Sequence, residues 1–357
     1  MVDAEPPAET RVAAASGIET LSAATAAAWD AYVDEHPDST CYHHRAWQTA
    51  ARTAYGIETP SLIARDALGA ISGVLPIFIV RRAWSRYGVT AAFGGYGRVL
   101  ASSGDVRRGL LDEARRMSMR LHLSHLLHKS SGEEPVASEW KRGDAAVTAT
   151  LSLEPGEAAL WRSFRGEIRN RVRKAEANGL RVLEGAGEFE GFYRVLAANM
   201  HRKGTPIYGR PFLRAVLDGF GPRAAIMTVR RGEETLGGAL VIEHRGEVHV
   251  PFVSSLPSAF ALAPNNLLYW EIIRRSCSRG GVLLDFGRSF RGTSNLDFKI
   301  RWGAQVVAQP FYFVHRGAPP VIEPGGSAVR LAVSAWSRLP QSVADRVGPV
   351  LAGRLLV

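Results

Sequence analysis

Cysteine is scarce in this sequence, and long apolar runs are absent. Only two cysteines, Cys41 and Cys277, occur in 357 residues, and they lie too far apart for a disulfide framework or a zinc site. We interpret both as small hydrophobic residues. The best apolar segment, Ile71 to Val80, contains Pro76 and falls short of the roughly 18 apolar residues that a membrane span needs. The sequence therefore predicts no membrane-spanning helix.

Several catalytic motifs are also missing. There is no Gly-x-Ser-x-Gly motif, no P-loop and no plausible cysteine nucleophile, so a covalent enzyme intermediate is disfavoured against direct transfer in a ternary complex. Asp285-Phe286-Gly287 occurs in protein kinases too, but their Gly-rich and His-Arg-Asp loops are missing. His122, His125 and His128 are spaced three apart, which suits no metal site, and we predict no metal.

The N-terminus lacks the features of a secretion signal. Asp3 and Glu5 occupy the place of a basic region, and no apolar core follows before Trp29. We therefore expect a cytoplasmic protein. Residues 1–17 are rich in Ala, Glu and Pro, which predicts a disordered lead-in.

Positive charge is abundant. The sequence has 44 Lys and Arg against 34 Asp and Glu, a net charge of +10. Such an excess favours an anionic partner, which could be a nucleic acid, a phosphorylated donor or an acidic membrane surface. Charge alone does not choose among these.

The order of predicted elements repeats after about 165 residues, as expected of duplicated architecture. Each copy has three strands, a helix and a further strand: 62–65, 70–80, 92–101, 105–121 and 123–128, then 225–229, 236–243, 248–253, 266–279 and 282–284. The chain also exceeds the length that one core usually serves. We predict an α/β protein with domains at 18–150 and 151–316 and a helical segment at 317–357.

Charged residues crowd the end of one apolar strand. The strand at 282–284 leads directly into Asp285, Gly287 and Arg288, and an amphipathic segment carrying Lys299 follows. Strand ends are where α/β proteins place their binding and catalytic groups. Because burying charge costs free energy, we expect these residues to have a function.

The segment from Asp285 to Gly303 reads DFGRSFRGTSNLDFKIRWG and resembles the FemAB-like branch of the GNAT acyltransferase superfamily. Within that branch it is most similar to the FemAB-related proteins associated with exosortase/PEP-CTERM systems, which have a BioF2-like acetyltransferase domain. The likeness runs through nearly the whole chain, in short pieces whose order and spacing are specific: Tyr42-His43, Gly73-Val74-Leu75-Pro76, Phe93-Gly94-Gly95-Tyr96-Gly97, Arg169 to Ala175 and His201 to Tyr208. It implies two tandem GNAT-like domains with mixed sheets flanked by helices.

The sequence departs from simple acetyltransferases at the loop that cradles coenzyme A. The usual Arg/Gln-x-x-Gly-x-Gly/Ala pattern is replaced by the segment Ser258 to Asn265. We expect no tightly bound cofactor. The donor stays open between an acyl-CoA and an aminoacyl-tRNA.

Lys299 is the first candidate for catalysis. Its ammonium, beside Phe298, could hold a developing oxyanion or a donor phosphate, and the resemblance implies that this pair faces the point of acyl transfer. The alternative is a surface cation on an amphipathic helix. Asp285 is either a structural partner of Arg288, which we favour, or a base for the attacking amine.

Three arginines at intervals of four predict an anion-binding ladder. A helix at 157–178 would place Arg165, Arg169 and Arg173 side by side, and the alternative is a solvated basic face. In FemAB-like enzymes a similarly placed basic helix helps to form a cleft for polyanionic substrates.

Further candidates lie at helix ends. Lys203 and Tyr208 follow a predicted helix beside a Thr-Pro turn, and we expect them to contact substrate, although any helix C-terminus favours basic residues. Asn265 and Asn266 are either ordinary N-caps or ligands of a donor pyrophosphate at a helix N-terminus.

These features favour an acyl- or aminoacyltransferase that acts on an amine of a cell-envelope or exopolysaccharide precursor. Its partners would be an anionic small molecule or glycan precursor and, for an aminoacyl donor, a tRNA; the oligomeric state stays open. The alternative is a non-catalytic envelope-assembly factor that binds an anionic glycan or lipid-linked precursor. A nucleic-acid binder is disfavoured because Trp161 and Phe164 fall near the packed face. The C-terminal segment either packs on the second domain or touches the inner membrane.

Overall fold

The computed structural model describes residues 17–82, 85–316 and 327–355. The predicted lead-in lies outside these residues except for Gly17, which begins a strand.

The first half contains three α-helices and eight strands. The helices are α1 (Ala26–Glu35), α2 (Arg45–Tyr55) and α3 (Gly104–Arg120). The strands are β1 (Gly17–Thr20), β2 (Leu62–Arg65), β3 (Ile71–Leu75), β4 (Phe78–Arg81), β5 (Arg86–Val89), β6 (Leu100–Ala101), β7 (His125–Lys129) and β8 (Lys141–Ser152).

The second half is richer in helix. The helices are α4 (Glu157–Ser163), α5 (Gly166–Ala177), α6 (Phe189–Arg202), α7 (Arg210–Phe220), α8 (Pro264–Ser278), α9 (Ser294–Arg301), α10 (Ser327–Ser337) and α11 (Gln341–Leu355). The strands are β9 (Leu180–Glu184), β10 (Ala224–Arg231), β11 (Glu234–His244), β12 (Glu247–Ser255), β13 (Leu283–Ser289) and β14 (Gln305–His315).

A ten-stranded mixed sheet joins the two halves. Its order is β4-β5-β7-β14-β8-β13-β12-β11-β10-β9, and β1-β2-β3-β6 form a second sheet. Each half contains one parallel strand pair: β5 with β7, which are separated along the chain by β6 and α3, and β12 with β13, which are separated by α8. The predicted α/β class with mixed sheets and a helical C-terminal segment is confirmed. The domain limits stay a prediction, since β8 and β14 pair across the middle of the sheet.

The first copy of the repeat differs from its prediction. The strand predicted at 70–80 divides around Pro76 into β3 and β4, which lie in different sheets, because proline cannot donate to a strand ladder. The strand predicted at 92–101 is wrong apart from β6. Its start is a turn in which Phe93 and Gly94 have φ of 56° and 83°.

The helix predicted at 157–178 is also wrong as a single element. It ends at Ser163 and restarts at Gly166, because Phe164 and Arg165 are extended, with ψ of 144° and 145°. The break turns the buried Phe164 ring against Trp302, with centroids 5.0 Å apart. Apolar packing thus overrides helical propensity here.

Two large cores lie on opposite faces of the ten-stranded sheet. Along β11, Ala239 and Val241 face the core beneath α5 and α8, whereas Leu240 and Ile242 face the core beneath α2, α6 and α7. This alternation is the period of a strand buried on both sides. No helix among the described residues has the length and apolar character to cross a membrane.

Candidate functional site

Strands β12 and β13 separate just beyond Asp285. They pair only over Glu247 to His249 and Leu283 to Asp285. Gly287 then has φ of 77°, and a Cβ there would lie 2.7 Å from the carbonyl oxygen of Val250. Only glycine fits such a bulge, since a side chain would be strained and would clash.

The Asp285 carboxylate is buried and fully engaged. It accepts hydrogen bonds from the Tyr96 and Thr148 hydroxyls and from the Gly287 N–H at 2.8 Å. Burial would raise its pKa, but the nearby His249 imidazole and the hydrogen bonds from both hydroxyls hold the pKa below its usual value. Asp285 is therefore an ionised structural group.

His249 supplies the countercharge. Its ring nitrogens lie 3.3 Å from a Glu247 carboxylate oxygen and 3.7 Å from an Asp285 oxygen. Burial lowers the pKa of His249, but the two nearby carboxylates outweigh it and raise the pKa to about 9. The imidazolium is therefore the charged partner of Asp285. The predicted pairing of Asp285 with Arg288 is not among the contacts of the described residues, so that brace is wrong.

Lys299 is buried and only 2% exposed, so the surface-cation alternative is wrong. Thr293 caps α9 by accepting the Leu296 N–H, and the helix turns Lys299 toward β13. The ammonium donates to the Gly287 carbonyl at 2.6 Å and to the Arg288 carbonyl at 3.3 Å. Burial lowers its pKa to about 8, although the charge of Asp285 opposes this shift. The Gly287 peptide thus joins Asp285 on one side to Lys299 on the other.

One cavity, of about 400 Å³, lies where α8 and α9 begin and β12 ends; we call it the α8 cavity. Its wall carries four cations: Arg171, Arg202, Lys203 and Arg301. No aspartate or glutamate belongs to this wall as the structure describes it. Such a surface suits an anion.

The two asparagines line the α8 cavity, but neither caps the helix. The N-cap is Ala263, with φ of 59°. Asn265 accepts a hydrogen bond from Ser255, whereas Asn266 is 4% exposed and its Nδ2 has no protein partner. A buried donor without a partner costs free energy unless a ligand satisfies it.

Two more predicted residues line this cavity and one does not. Lys203 and Phe298 lie in its wall. Burial, followed by the charge of Arg202, lowers the pKa of Lys203. Tyr208 instead lies in an aromatic cluster, 5.0 Å from the Phe252 ring centre and 5.9 Å from that of Phe212.

The arginine ladder does not form as predicted. Arg165 precedes α5, so it does not share a helix turn with the others. The Arg173 guanidinium lies 5.7 Å from the Trp161 ring centre, and Arg169 is partly buried. None of the three lines either of the two cavities described here. Arg171, on the other side of α5, does line the α8 cavity.

A second cavity, of about 170 Å³, lies between the sequence halves; we call it the junction cavity. Arg288 projects into it, together with Lys129 and Tyr96. Sequence reasoning did not select Lys129, Tyr96 or His249 as site residues. The available signal was weak: a histidine inside the apolar strand β12 and a lysine at the end of β7.

Residues 162–299, which contain Asp285, Lys299 and every cation of the α8 cavity except Arg301, match the sequence profile of a family described as "Acetyltransferase (GNAT) domain". Over this region the chain is similar to a GNAT domain, which supports the FemAB-like branch of that superfamily. The expectation of a GNAT N-acyltransferase is thereby confirmed at the level of the family, while donor and acceptor stay predictions. No curated protein matches the chain.

Solved structures share the fold over most of the chain. FemX is 12% identical, with 83% of this chain and 96% of FemX covered and a TM-score of 0.63. A tandem GNAT protein from the clavulanic acid biosynthesis pathway is 11% identical (85% and 99% covered, TM-score 0.53), and L-PGS from Bacillus licheniformis is 10% identical (90% and 99% covered, TM-score 0.54). At such identities the likeness concerns the fold alone.

Proposed function

We propose that this GNAT protein transfers an acyl or aminoacyl group from a donor in the α8 cavity to an amine. The observation that carries the proposal is the unpartnered Asn266 amide at the start of α8, in a wall with four cations and no described carboxylate. A helix N-terminus with free N–H groups binds phosphate readily. The donor would therefore be phosphate-bearing, either an acyl-CoA or an aminoacyl-tRNA.

The reaction forms one bond and breaks one. The neutral amine attacks the donor carbonyl, a C–N bond forms, and the C–S bond of a thioester or the C–O bond of an aminoacyl ester breaks. The amine loses a proton to water, and the leaving thiolate or alkoxide is protonated. The oxygens of Asp285 are occupied, and the Lys299 ammonium donates to two carbonyls and is not among the lining residues of either cavity. We therefore assign both residues to positioning the Gly287 bulge.

For the acceptor we propose an anionic cell-envelope or exopolysaccharide precursor that carries an amine. The net charge of +10 supports an anionic substrate. The fold likeness to FemX and to a putative lysylphosphatidylglycerol synthetase domain (10% identical, TM-score 0.54) is compatible with an envelope acceptor.

We place this reaction in the cytoplasm, with contact to the inner membrane. The support is the C-terminal pair α10 and α11, where exposed apolar residues alternate with arginines. The exposed apolar residues are Leu331, Val333, Val343, Val347, Val350 and Leu355. Exposed apolar residues together with basic ones suit contact with an anionic bilayer.

A non-catalytic binding factor is the second candidate. It is favoured by the complete engagement of Asp285, which leaves that carboxylate unable to accept a proton from an amine. A donor-binding measurement separates the two candidates, because a factor that binds only the precursor needs no donor site.

The test is binding of coenzyme A and of a charged tRNA by calorimetry. We expect Lys203→Ala to weaken binding of the true donor by about tenfold, as loss of a charge-assisted contact typically does. Arg108→Ala, on the exposed side of α3, is the control and should leave it unchanged. Failure of both donors to bind would contradict the proposed transfer.

A further inference from the structure

The junction cavity collects hydrogen-bond donors for which the protein supplies no acceptor. In the part of the chain that the structure describes, the Lys129 ammonium and the Arg288 guanidinium have no carboxylate partner, and the guanidinium lies 5.3 Å from the Phe290 ring centre. Gln309 is a third donor. It is 5% exposed, and its Nε2 has no partner.

The two cations also destabilise each other. Burial, followed by the charge of Arg288, lowers the pKa of Lys129 to about 7, and burial lowers the pKa of Arg288. The residues that line the junction cavity all lie within the described ranges, and none of them is an aspartate or glutamate that would offset these charges. Two half-buried like charges without a counterion are unfavourable, and an anion between them would relieve both.

The sheet brings these groups together. Strands β7, β14, β8 and β13 lie side by side, and Lys129, Gln309, Ala146 and Arg288 come from them in that order. Ala146 pairs with Gln309 and is small, so it leaves room between the lysine and the arginine. Lys129 and Arg288 are therefore fixed on two strands, β7 and β13, with Gln309 and Ala146 on the two strands between them.

The remaining lining residues include Arg82 and His125 as well as three aromatic rings. Tyr87, Tyr96 and Phe311 line the cavity beside the cations. Its volume of about 170 Å³ is below the roughly 300–1,000 Å³ of sites that enclose a drug-sized molecule. The cavity therefore suits one small anionic group with a short apolar attachment.

The cavity also borders the Gly287 bulge. Tyr96 lines it and donates its hydroxyl hydrogen to Asp285, while the backbone carbonyl of Arg288 accepts a hydrogen bond from Lys299. A molecule anchored here would lie next to the strand end that also supports the α8 cavity.

We propose that the junction cavity binds the anionic end of the acceptor, a carboxylate or a phosphate monoester, between Lys129, Arg288 and Gln309. This assignment rests on the acyl transfer proposed above, and it adds a second anion site, separate from that of the donor. Arg288 is then a residue that binds the acceptor, and Lys129 is its partner.

Binding of two probes, inorganic phosphate and succinate, tests the site in the full chain. We expect at least one probe to bind wild type, with affinity lowered about tenfold or more in Lys129→Met and Gln309→Leu and retained in Lys129→Arg. Arg108→Met, on the exposed side of α3, is the control and should retain the Lys129-dependent binding. The probe that binds distinguishes a phosphate from a carboxylate.

Stability provides a second readout. Because Lys129 lacks a partner, Lys129→Met should melt at the same or a higher temperature than wild type without ligand, so that lost binding does not reflect unfolding. Equal probe affinity in wild type and Lys129→Met, or a lower melting temperature for this variant, would overturn the site.

The two proposals fail separately. Lys129-dependent probe binding without acyl transfer from any donor would overturn the proposed function and leave the anion site in place. Acyl transfer with the same KM for the acceptor in wild type and Lys129→Met would overturn the acceptor site alone.

Discussion

Three charged residues lie buried around Gly287: Asp285, His249 and Lys299. The groups that stabilise the charge differ among the three. Asp285 and His249 neutralise each other, whereas the Lys299 ammonium is held by two carbonyl dipoles. The charges of Asp285 and Lys299 at a strand end identified them in the sequence. Their partners could not be predicted, because Tyr96, Thr148 and His249 come from distant segments.

We predict that His249 stabilises the fold at low pH. Its pKa is about 9 in the folded protein against 6.5 for the free side chain, so its contribution is complete below pH 6.5 and is lost as pH rises through 9. Urea unfolding should show His249→Gln less stable than wild type, by at most about 3 kcal/mol below pH 6.5, with the difference shrinking toward pH 9. A difference independent of pH would contradict the charged pair.

Lys299→Met should lower stability as well as activity. The structure places two buried hydrogen bonds on this ammonium. Their loss costs about 1–3 kcal/mol, partly offset because no charge need then be buried. Arg301→Met, an exposed neighbour on α9, is the control for unfolding measurements. Equal melting temperatures for the two variants would contradict the role of Lys299 in holding β13.

At the scale of elements, the bulge in β13 and the break between α4 and α5 position the site. The strand and the helix around them were predicted from the spacing of apolar residues and from Gly and Pro residues that mark the ends of elements. The break was missed because Phe164 and Arg165 have no helix-breaking side chain, and only packing against Trp302 explains it. Long-range packing of this kind leaves no local pattern.

Gly287→Ala should be far more damaging than Gly280→Ala. Both glycines have positive φ, 77° and 74°, so both substitutions strain the backbone. Only the Cβ at Gly287 meets another atom, the Val250 carbonyl oxygen at 2.7 Å, whereas the Cβ at Gly280 meets nothing within 4 Å. Thermal melting of both variants checks this, and equal losses would show that the close approach of β12 and β13 does not matter.

The C-terminal helices should bind anionic membranes. Leu331 and Val350 are 72% and 60% exposed, and arginines lie beside such residues along α10 and α11. We expect the protein to co-sediment with vesicles that contain phosphatidylglycerol and not with neutral vesicles, and Val350→Asp to reduce this binding. Equal sedimentation of wild type and Val350→Asp would assign the exposed face to another partner.

At the scale of the molecule, one continuous sheet carries both cavities. The parallel pair β12·β13 joins two strands of the predicted repeat, whereas β5, the parallel partner of β7, was not predicted as a strand. The antiparallel pairing of β14 with β7 and β8, which builds the junction cavity, joins residues more than 150 positions apart. A repeat in the order of predicted elements indicates two similar structural units, but it does not indicate how the edge strands of the two units pair. The sequence therefore located the strand end and the basic character of the site, and the structure located the two cavities.

The central claim is that this GNAT protein joins an acyl or aminoacyl group to an amine of an anionic envelope precursor. The most direct measurement compares envelope precursors by mass spectrometry in cells with the gene, without it, and complemented with wild type or Lys203→Ala. We predict an amide-linked addition that disappears without the gene, returns with wild type and is reduced with Lys203→Ala. Identical precursor masses in all four strains would contradict the claim.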